Sequence, residues 1–256
     1  MAKKIAIITG ASGGIGREFT RLLAAEQIDE IWAAARNEEK LDALQQEYGE
    51  RVRPMPIDLA KQQERQKIEQ RLAEEKPLVT WLINNAGMAR MGACEEFSVE
   101  EIEATISINC SAVAVLCAMC IPYMQAGSRI VNVSSASAFQ PLPYLNLYSA
   151  TKVFVRNYSR ALHEELKGRG ITVTAVCPGW VDTELLMREI NGHAVKFPGM
   201  ISAERAAEQA MRDAKCGRDM SVCTLYTKTE HVLAKLFPQR VAMQTWLRRI
   251  RRYIES

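Results

Sequence analysis

The sequence is short of several things. Its longest apolar run, Ala112 to Met124, is less than a membrane span needs and is interrupted by Pro122. Its opening, Met1-Ala2-Lys3-Lys4-Ile5-Ala6-Ile7-Ile8, carries a basic pair and an apolar run that stops at Thr9-Gly10. That is too early for the core of a secretory leader, and no small-residue cleavage site follows. The stretch is expected to be a buried first strand. An excess of one charge is also missing. The 33 Lys and Arg against 30 Asp and Glu leave a net charge of +3, which gives no support to nucleic-acid binding. Histidine is scarce: His163, His193 and His231 are the whole supply. None stands in a metal-ligand pattern, so no metal centre is expected. His163 is expected at the surface or an interface, and His193 in a loop on the pocket side. No Gly-x-Ser-x-Gly elbow is present, which disfavours serine hydrolysis. The seven cysteines, Cys94, Cys110, Cys117, Cys120, Cys177, Cys216 and Cys223, are odd in number and follow no framework spacing. A reducing compartment, the cytoplasm, is expected. Cys117-x-x-Cys120 lies within an apolar helical pattern and reads as core packing.

What is present is an alternation of strand and helix patterns, which implies a parallel sheet covered on both faces. Strands are predicted at Lys4–Thr9, Glu30–Ala34, Val52–Pro56, Val79–Asn84, Arg129–Ser134, Ile171–Cys177 and Met220–Leu225. Helices are predicted at Gly14–Glu26, Glu38–Tyr48, Lys61–Glu75, Val99–Tyr123, Leu147–Lys167 and Ala203–Lys215. Two long connections, Ser135–Asn146 and Glu184–Ser202, both follow strands and are expected to border a pocket at the carboxyl ends. Residues 1–225 are expected to form a doubly wound α/β Rossmann-type domain, with residues 226–256 as a helical extension on the same domain or a partner subunit. In that extension Val241–Ile254 is amphipathic: Met243, Trp246, Leu247, Ile250 and Ile254 line one side, with Arg240, Arg248, Arg249, Arg251 and Arg252 nearby. It is expected to pack on protein, with membrane-surface contact as the alternative.

Three clusters carry chemistry. The first is Thr9-Gly10-Ala11-Ser12-Gly13-Gly14-Ile15-Gly16, which joins the first strand to the first helix. Glycines 10, 14 and 16 allow a tight turn and close backbone approach, and the helix N-terminus offers N–H groups to a pyrophosphate. The second is Arg36, where the second strand ends. An acidic residue there would bind a ribose 2′-hydroxyl, whereas a guanidinium suits a 2′-phosphate, so NADP(H) is favoured over NAD(H). Asp58, after the third strand, either reaches an adenine amino group or caps the following helix. The third is Tyr148 and Lys152, one helical turn apart, with Ser135 thirteen residues upstream of Tyr148. An ammonium near a phenol favours the phenolate, so Lys152 is expected to lower the Tyr148 pKa toward neutrality.

These residues, together with Asn84-Asn85-Ala86-Gly87, Asn109, Ser134-Ser135 and Pro178-Gly179, resemble the short-chain dehydrogenase/reductase family in order and spacing, over residues 4 to about 225. The resemblance implies a catalytic set of Asn109, Ser135, Tyr148 and Lys152. Tyr148 would exchange a proton with the substrate oxygen and Ser135 would hydrogen-bond that oxygen. Lys152 would hold the nicotinamide ribose, and Asn109 would anchor a water serving Lys152. It further implies cofactor contacts from Gly10, Ser12, Gly13, Gly14, Ile15, Gly16, Arg36, Asp58, Leu59, Asn85, Ala86, Gly87, Tyr148, Lys152, Pro178, Gly179, Val181 and Thr183. Thr183 corresponds to the family's carboxamide-binding position. Gly13 departs from many NADP-using relatives, which carry Arg or Lys there.

An apolar wall is expected from Phe139, Leu142, Tyr144, Trp180, Leu185, Leu186, Met187 and Phe197, under a mobile segment Glu184–Met200. The expected activity is NADP(H)-dependent interconversion of a lipophilic ketone and secondary alcohol, such as a steroid-like or fatty-acyl compound. The competing reading is a dinucleotide-binding sensor or scaffold that kept the fold without turnover. By resemblance, a homodimer or homotetramer is expected through Val99–Tyr123 and Leu147–Lys167.

Overall fold

Strands rich in branched and small apolar residues have two faces to bury, and helices wound over both sides of one parallel sheet bury them. The computed structural model describes residues 2–186, 188–190 and 192–254. The chain runs β1 (Lys4–Thr9), α1 (Gly14–Ala24), β2 (Glu30–Ala35), α2 (Glu38–Tyr48), β3 (Val52–Pro56), α3 (Gln62–Glu75), β4 (Leu78–Asn84), α4 (Val99–Ile106), α5 (Ala112–Cys120), β5 (Arg129–Val133), α6 (Asn146–Lys167) and β6 (Thr172–Val176). Then come the short strands β7 (Val181–Asp182), β8 (Glu189–Ile190), β9 (His193–Ala194) and β10 (Ile201–Ser202), followed by α7 (Ala203–Lys215), β11 (Met220–Ser221), α8 (Leu225–Leu236) and α9 (Gln239–Ile254).

Seven strands pair in parallel in the order β11-β6-β5-β4-β1-β2-β3. The period of two divides the core. Ile5 and Ile7 point toward α3, α5 and α6, where Ile68, Leu72, Leu116, Cys117, Leu162 and Leu166 are buried. Ala6 and Ile8 point toward α1, α2 and α7, where Phe19, Leu23, Leu41, Leu44, Ala210 and Met211 are buried. The winding direction reverses between β1 and β4, so Thr9 and Asn84 face each other at the rim where such sheets bind ligands.

One expectation needs correction and two gain detail. Met220–Leu225 is not one strand: pairing ends at Ser221, and the Thr224 side chain accepts from Thr227 N and starts α8. A Thr at that position caps a helix better than it extends a strand. The segment Val99–Tyr123 is helical throughout but not uniform, with a π-helical turn at Ser107–Ser111 and a 3-10 turn at Ile121–Tyr123. By length and composition that continuous run could cross a bilayer, but Ala112, Leu116, Cys117 and Cys120 are buried in the core against the sheet. Within Glu184–Ser202, β8 and β9 pair antiparallel and β10 pairs with β7.

Glu30, buried at the start of β2, receives hydrogen bonds from Lys3 Nζ, Trp32 Nε1 and Arg53. Burial pushes its carboxyl up, but the donors Lys3, Trp32 and Arg53 outweigh burial and hold it at about 2. A carboxylate with a depressed folded pKa stabilises the fold above its unfolded pKa and loses that contribution as pH falls through the folded value. Glu30→Gln should therefore cost about 1–2 kcal/mol near pH 7. Denaturant unfolding of both proteins should show the difference shrinking as pH drops from about 4.5 to about 2. A pH-independent difference would contradict this account.

Candidate active site

The first turn is built on steric necessity. Gly10 has φ +64° and Gly14 has φ +51°, both in the left-handed region. A Cβ on Gly16 would lie 2.0 Å from the Gly10 carbonyl oxygen, so α1 can rise this close to β1 only with glycine there. Asn85 Nδ2 donates to the carbonyls of Thr9 and Gly10, and the Thr9 hydroxyl accepts from the N–H of both Asn85 and Ala86. Those bonds lock the turn onto the end of β4. Helices α2, α4 and α7 begin with Asn37, Ser98 or Ser202 as a side-chain cap and with acidic residues in the first turn. Helix α1 has neither a side-chain cap nor an acid there. Its positive end is uncompensated and can take an anion. Gly13 is extended and has open space where a side chain would stand. Thr183 packs against Gly14 across the turn.

The structure brings Asn109, Ser135, Tyr148 and Lys152 together. Ser135 caps a 3-10 turn, its Oγ accepting from Ser137 N at 3.1 Å, and it stands near enough to the Tyr148 phenol to favour its ionised form. Ser134 points the other way, donating to the Lys152 carbonyl. Lys152 is buried, and its Nζ donates to the Val133 carbonyl at 2.8 Å and lies 5.6 Å from the centre of the Tyr148 ring. Asn109 sits fully buried in the π-helical turn. Its Oδ1 accepts from Met88 N, and its Nδ2 donates to Met88 O and Thr151 Oγ1. It therefore clamps the segment after β4 to α6. A Cβ on Gly87 would meet Asn109 Oδ1 and Lys152 Nζ, each at 3.3 Å. Glycine there leaves a cradle beside the ammonium.

The electrostatics reverse one expectation. Burial raises the Tyr148 pKa above that of an ordinary phenol; the Ser135 hydrogen bond opposes this and the Cys177 thiol adds to it. Lys152 does not lower it. The ammonium is itself penalised by burial, which brings it down to about 8, while Cys110 and Cys177 pull it up. Sequence spacing gave the proximity of the pair but not its depth.

Other expected residues separate. Arg36 is exposed just past β2, and its guanidinium has no hydrogen bond or ion pair among the described residues. Asp58 is half-buried; Oδ1 accepts from Ala60 N and Oδ2 is 3.9 Å from Lys61. It caps the turn before α3. The Leu59 side chain belongs to the core and Val181 is buried against Ile15, so only their backbones can face a ligand. Pro178 accepts from Ala136 N, and Gly179 adjoins Thr227, where a Cβ would lie 2.6 Å from Oγ1. Leu142, Tyr144 and Trp180 do share an apolar cluster, and Trp180 meets Phe197 edge-on at 5.2 Å. Phe139 does not join it. Phe139 is buried against Cys177 and Val222 and packs on His231, on the α8 side. Leu185 is exposed and Leu186 only half-buried, both outside the cluster. Met187 lies outside the described residues. Lys40, in α2, meets Glu184 at 2.9 Å and joins α2 to the start of the segment that follows β7.

Comparison with known proteins decides the family. The short chain dehydrogenase model matches residues 4–194. The chain belongs to that family. It is 33% identical over 190 residues to the very-long-chain 3-oxoacyl-CoA reductase of Bos taurus, covering 70% of this chain and 60% of that relative. It is 32% identical over 220 residues to a 3-oxoacyl-[acyl-carrier-protein] reductase of Thermotoga maritima, covering 84% of each. Among solved structures, a short-chain dehydrogenase from Sphingobium yanoikuyae in complex with NADPH is 30% identical, with TM-score 0.78 over 99% of this chain and 98% of that one. The bulky-bulky ketone specific alcohol dehydrogenase from Comamonas testosteroni is 26% identical, with TM-score 0.76 over 96% and 95%.

Within this short-chain dehydrogenase, α9 adds what sequence reasoning did not place. Its apolar face is occupied by its own domain: Trp246, Ile250 and Tyr253 are buried with Leu142, beside Tyr144, Trp180, Ile190 and Val195. Trp246 Nε1 donates to the Pro143 carbonyl, and the Tyr253 hydroxyl contacts Ala194 O and Lys196 N. The same helix thus braces the loop between Ser135 and Tyr148 and the β8–β9 hairpin. The amphipathic pattern signalled a packed face, but no local pattern named the surface it meets. Thr9 and Thr151 were also missed, because a lone threonine hydroxyl carries no spacing signal.

Lys152→Met should unfold no more easily than the parent at pH 7, since it removes a buried cation. A lysine with a depressed folded pKa weakens the fold below that value, and the penalty fades as pH rises toward the unfolded pKa. Urea titrations of both proteins should show any advantage of the variant disappearing between about pH 8 and pH 10.5. An advantage that grows with pH would contradict the assignment.

Proposed function

We propose that the chain is an NADP(H)-dependent oxidoreductase that reduces the carbonyl of a bulky lipophilic substrate, with Tyr148, Ser135, Lys152 and Asn109 as its catalytic group. The observation that carries the reading is the convergence of Tyr148, the neighbouring Ser135 and the buried Lys152 ammonium beside the open cradle at Gly87. The names of similar proteins support the substrate class, since they include reductases of 3-oxoacyl thioesters and a bulky-ketone dehydrogenase. The apolar cluster capped by α9 supports it too.

The residues present fit a dinucleotide. The uncapped end of α1, with Ser12 to Gly16, would hold the pyrophosphate. Arg36 would take the 2′-phosphate and Asp58 with the Leu59 backbone would face the adenine. Asn85, Ala86 and Gly87 would border the adenosine and ribose, and Pro178, Gly179, Val181 and Thr183 the nicotinamide. When bound in reduced form, that cofactor supplies a hydride to the substrate carbon. Tyr148 donates its phenolic proton to the substrate oxygen, and its raised pKa keeps it protonated near neutral pH, as a proton donor requires. Ser135, whose Oγ accepts from Ser137 N, donates its hydroxyl hydrogen to the same oxygen. The Lys152 ammonium, beside the open cradle at Gly87, would hold the nicotinamide ribose. Asn109 holds residue 88 and Thr151 so that the cradle keeps its shape. Copies of the chain pair through α4 to α6, where Ile106 and Phe154 are exposed.

Two measurements test this. With a panel of bulky ketones, Tyr148→Phe should lose about 100-fold to 10,000-fold in turnover while its thermal midpoint stays close to the parent's. Turnover that survives the change would reject the proton donor, and a parent inert toward all ketones would favour the sensor reading. Arg36→Asp should raise the KM for NADPH about tenfold or more and leave NADH kinetics nearly unchanged, whereas Gly13→Arg, which has room, should sharpen the NADPH preference. Faster wild-type reaction with NADH than with NADPH would remove Arg36 from the account.

A further inference from the structure

The net charge of +3 conceals an uneven distribution. Residues 225–254 hold seven cations, Lys228, Lys235, Arg240, Arg248, Arg249, Arg251 and Arg252, against one acid, Glu230. The balance of the chain is therefore slightly negative. On the same stretch the usual polarity of a surface helix is inverted. Leu225, Val232 and Leu236 fall at i, i+7 and i+11, one line along α8, and are 77%, 51% and 72% exposed. Leu233 widens this stripe, and Phe237 and Val241 continue it through the turn into α9, all of them largely exposed. Lys228 and Lys235 flank the stripe on α8, and Arg240 stands between Phe237 and Val241. The opposite side of α8 is the one that packs, with Thr227 buried at Gly179 and Ala234 against the Phe139 cluster.

We propose that the outer face of α8 and the α8–α9 turn form a docking surface for an anionic lipid bilayer. An apolar stripe rimmed by cations matches a membrane interface, where side chains enter the acyl boundary and Lys and Arg meet anionic headgroups. A second copy is the weaker partner. A two-fold contact sets the same patch against itself, and here that would oppose two cationic rims. Nucleic acid would satisfy the cations and leave the stripe in water. The surface differs from the apolar face of α9 singled out in the sequence, which is buried within the domain. It lies beside the apolar wall, because α9 starts three residues after α8 ends. Nothing in the proposal depends on turnover.

The test is co-sedimentation of the full chain with phosphatidylcholine vesicles, with and without about 30% phosphatidylserine. Anionic vesicles should bind the protein about tenfold or more tightly than neutral ones, and high salt should weaken the binding. The double variant Leu236→Glu/Phe237→Glu should lose about tenfold or more in that affinity, with its thermal midpoint unchanged. If that variant does not fold, Lys235→Glu/Arg240→Glu takes its place and should abolish the preference for anionic lipid. No binding of the parent to anionic vesicles overturns the proposal, as does undiminished binding by the folded variants. Light scattering that shows self-association through this face, lost in the variants and without vesicle binding, overturns it in favour of a contact between copies.

Discussion

Lys152 donates from a dry position to the carbonyl that ends β5, and the rest of the site is arranged around that bond. Burying an ammonium costs free energy unless neighbouring groups compensate for it. Here the Val133 carbonyl compensates in part, and burial still depresses the Lys152 pKa. The surrounding polar ladder fixes the geometry. Asn84 reaches Asn132 on the neighbouring strand, and Asn132 reaches Ser159 in α6, so the helix that carries Tyr148 and Lys152 is pinned to the sheet below them. On the other side Asn109 pins residue 88 to Thr151. A displacement of α6 would have to break buried hydrogen bonds at both places, each expensive to leave unmade.

Much of this was legible in the residues. A glycine turn after an apolar strand can do few other things, and Tyr and Lys four apart on a helix must share a face. The alternation of strands and helices gave the doubly wound sheet, with most element ends correct to within one or two residues. What escaped was whatever depended on tertiary depth. The direction of the Tyr148 shift turns on how dry the phenol is, and no spacing rule reports that. Phe139 was assigned to the substrate wall because it lies in the right loop, yet the 3-10 turn begun by Ser135 aims it into the gap beneath α8. The seam at Thr224 was misread because Val222 and Leu225 look like strand residues until the threonine between them is recognised as a helix cap.

The two C-terminal helices turn their apolar residues in different directions. Helix α9 turns its apolar side inward and closes the wall over Leu142 and Trp180. Helix α8 holds the carboxyl end of the sheet through Thr227 at Gly179 and leaves apolar residues outside. Tyr144 shows how firmly the inner contact is held. It adopts φ +62°, unusual for a residue with a bulky side chain, in a loop fixed by Gly92 N on its own carbonyl and by Trp246 on the preceding one.

The ion pair between Lys40 and Glu184 links α2 to the segment that follows β7, and both partners stand in water. Such a pair is worth less than about 1 kcal/mol and weakens with ionic strength. A fastening of that kind adds almost nothing to the barrier for parting Glu184 from α2.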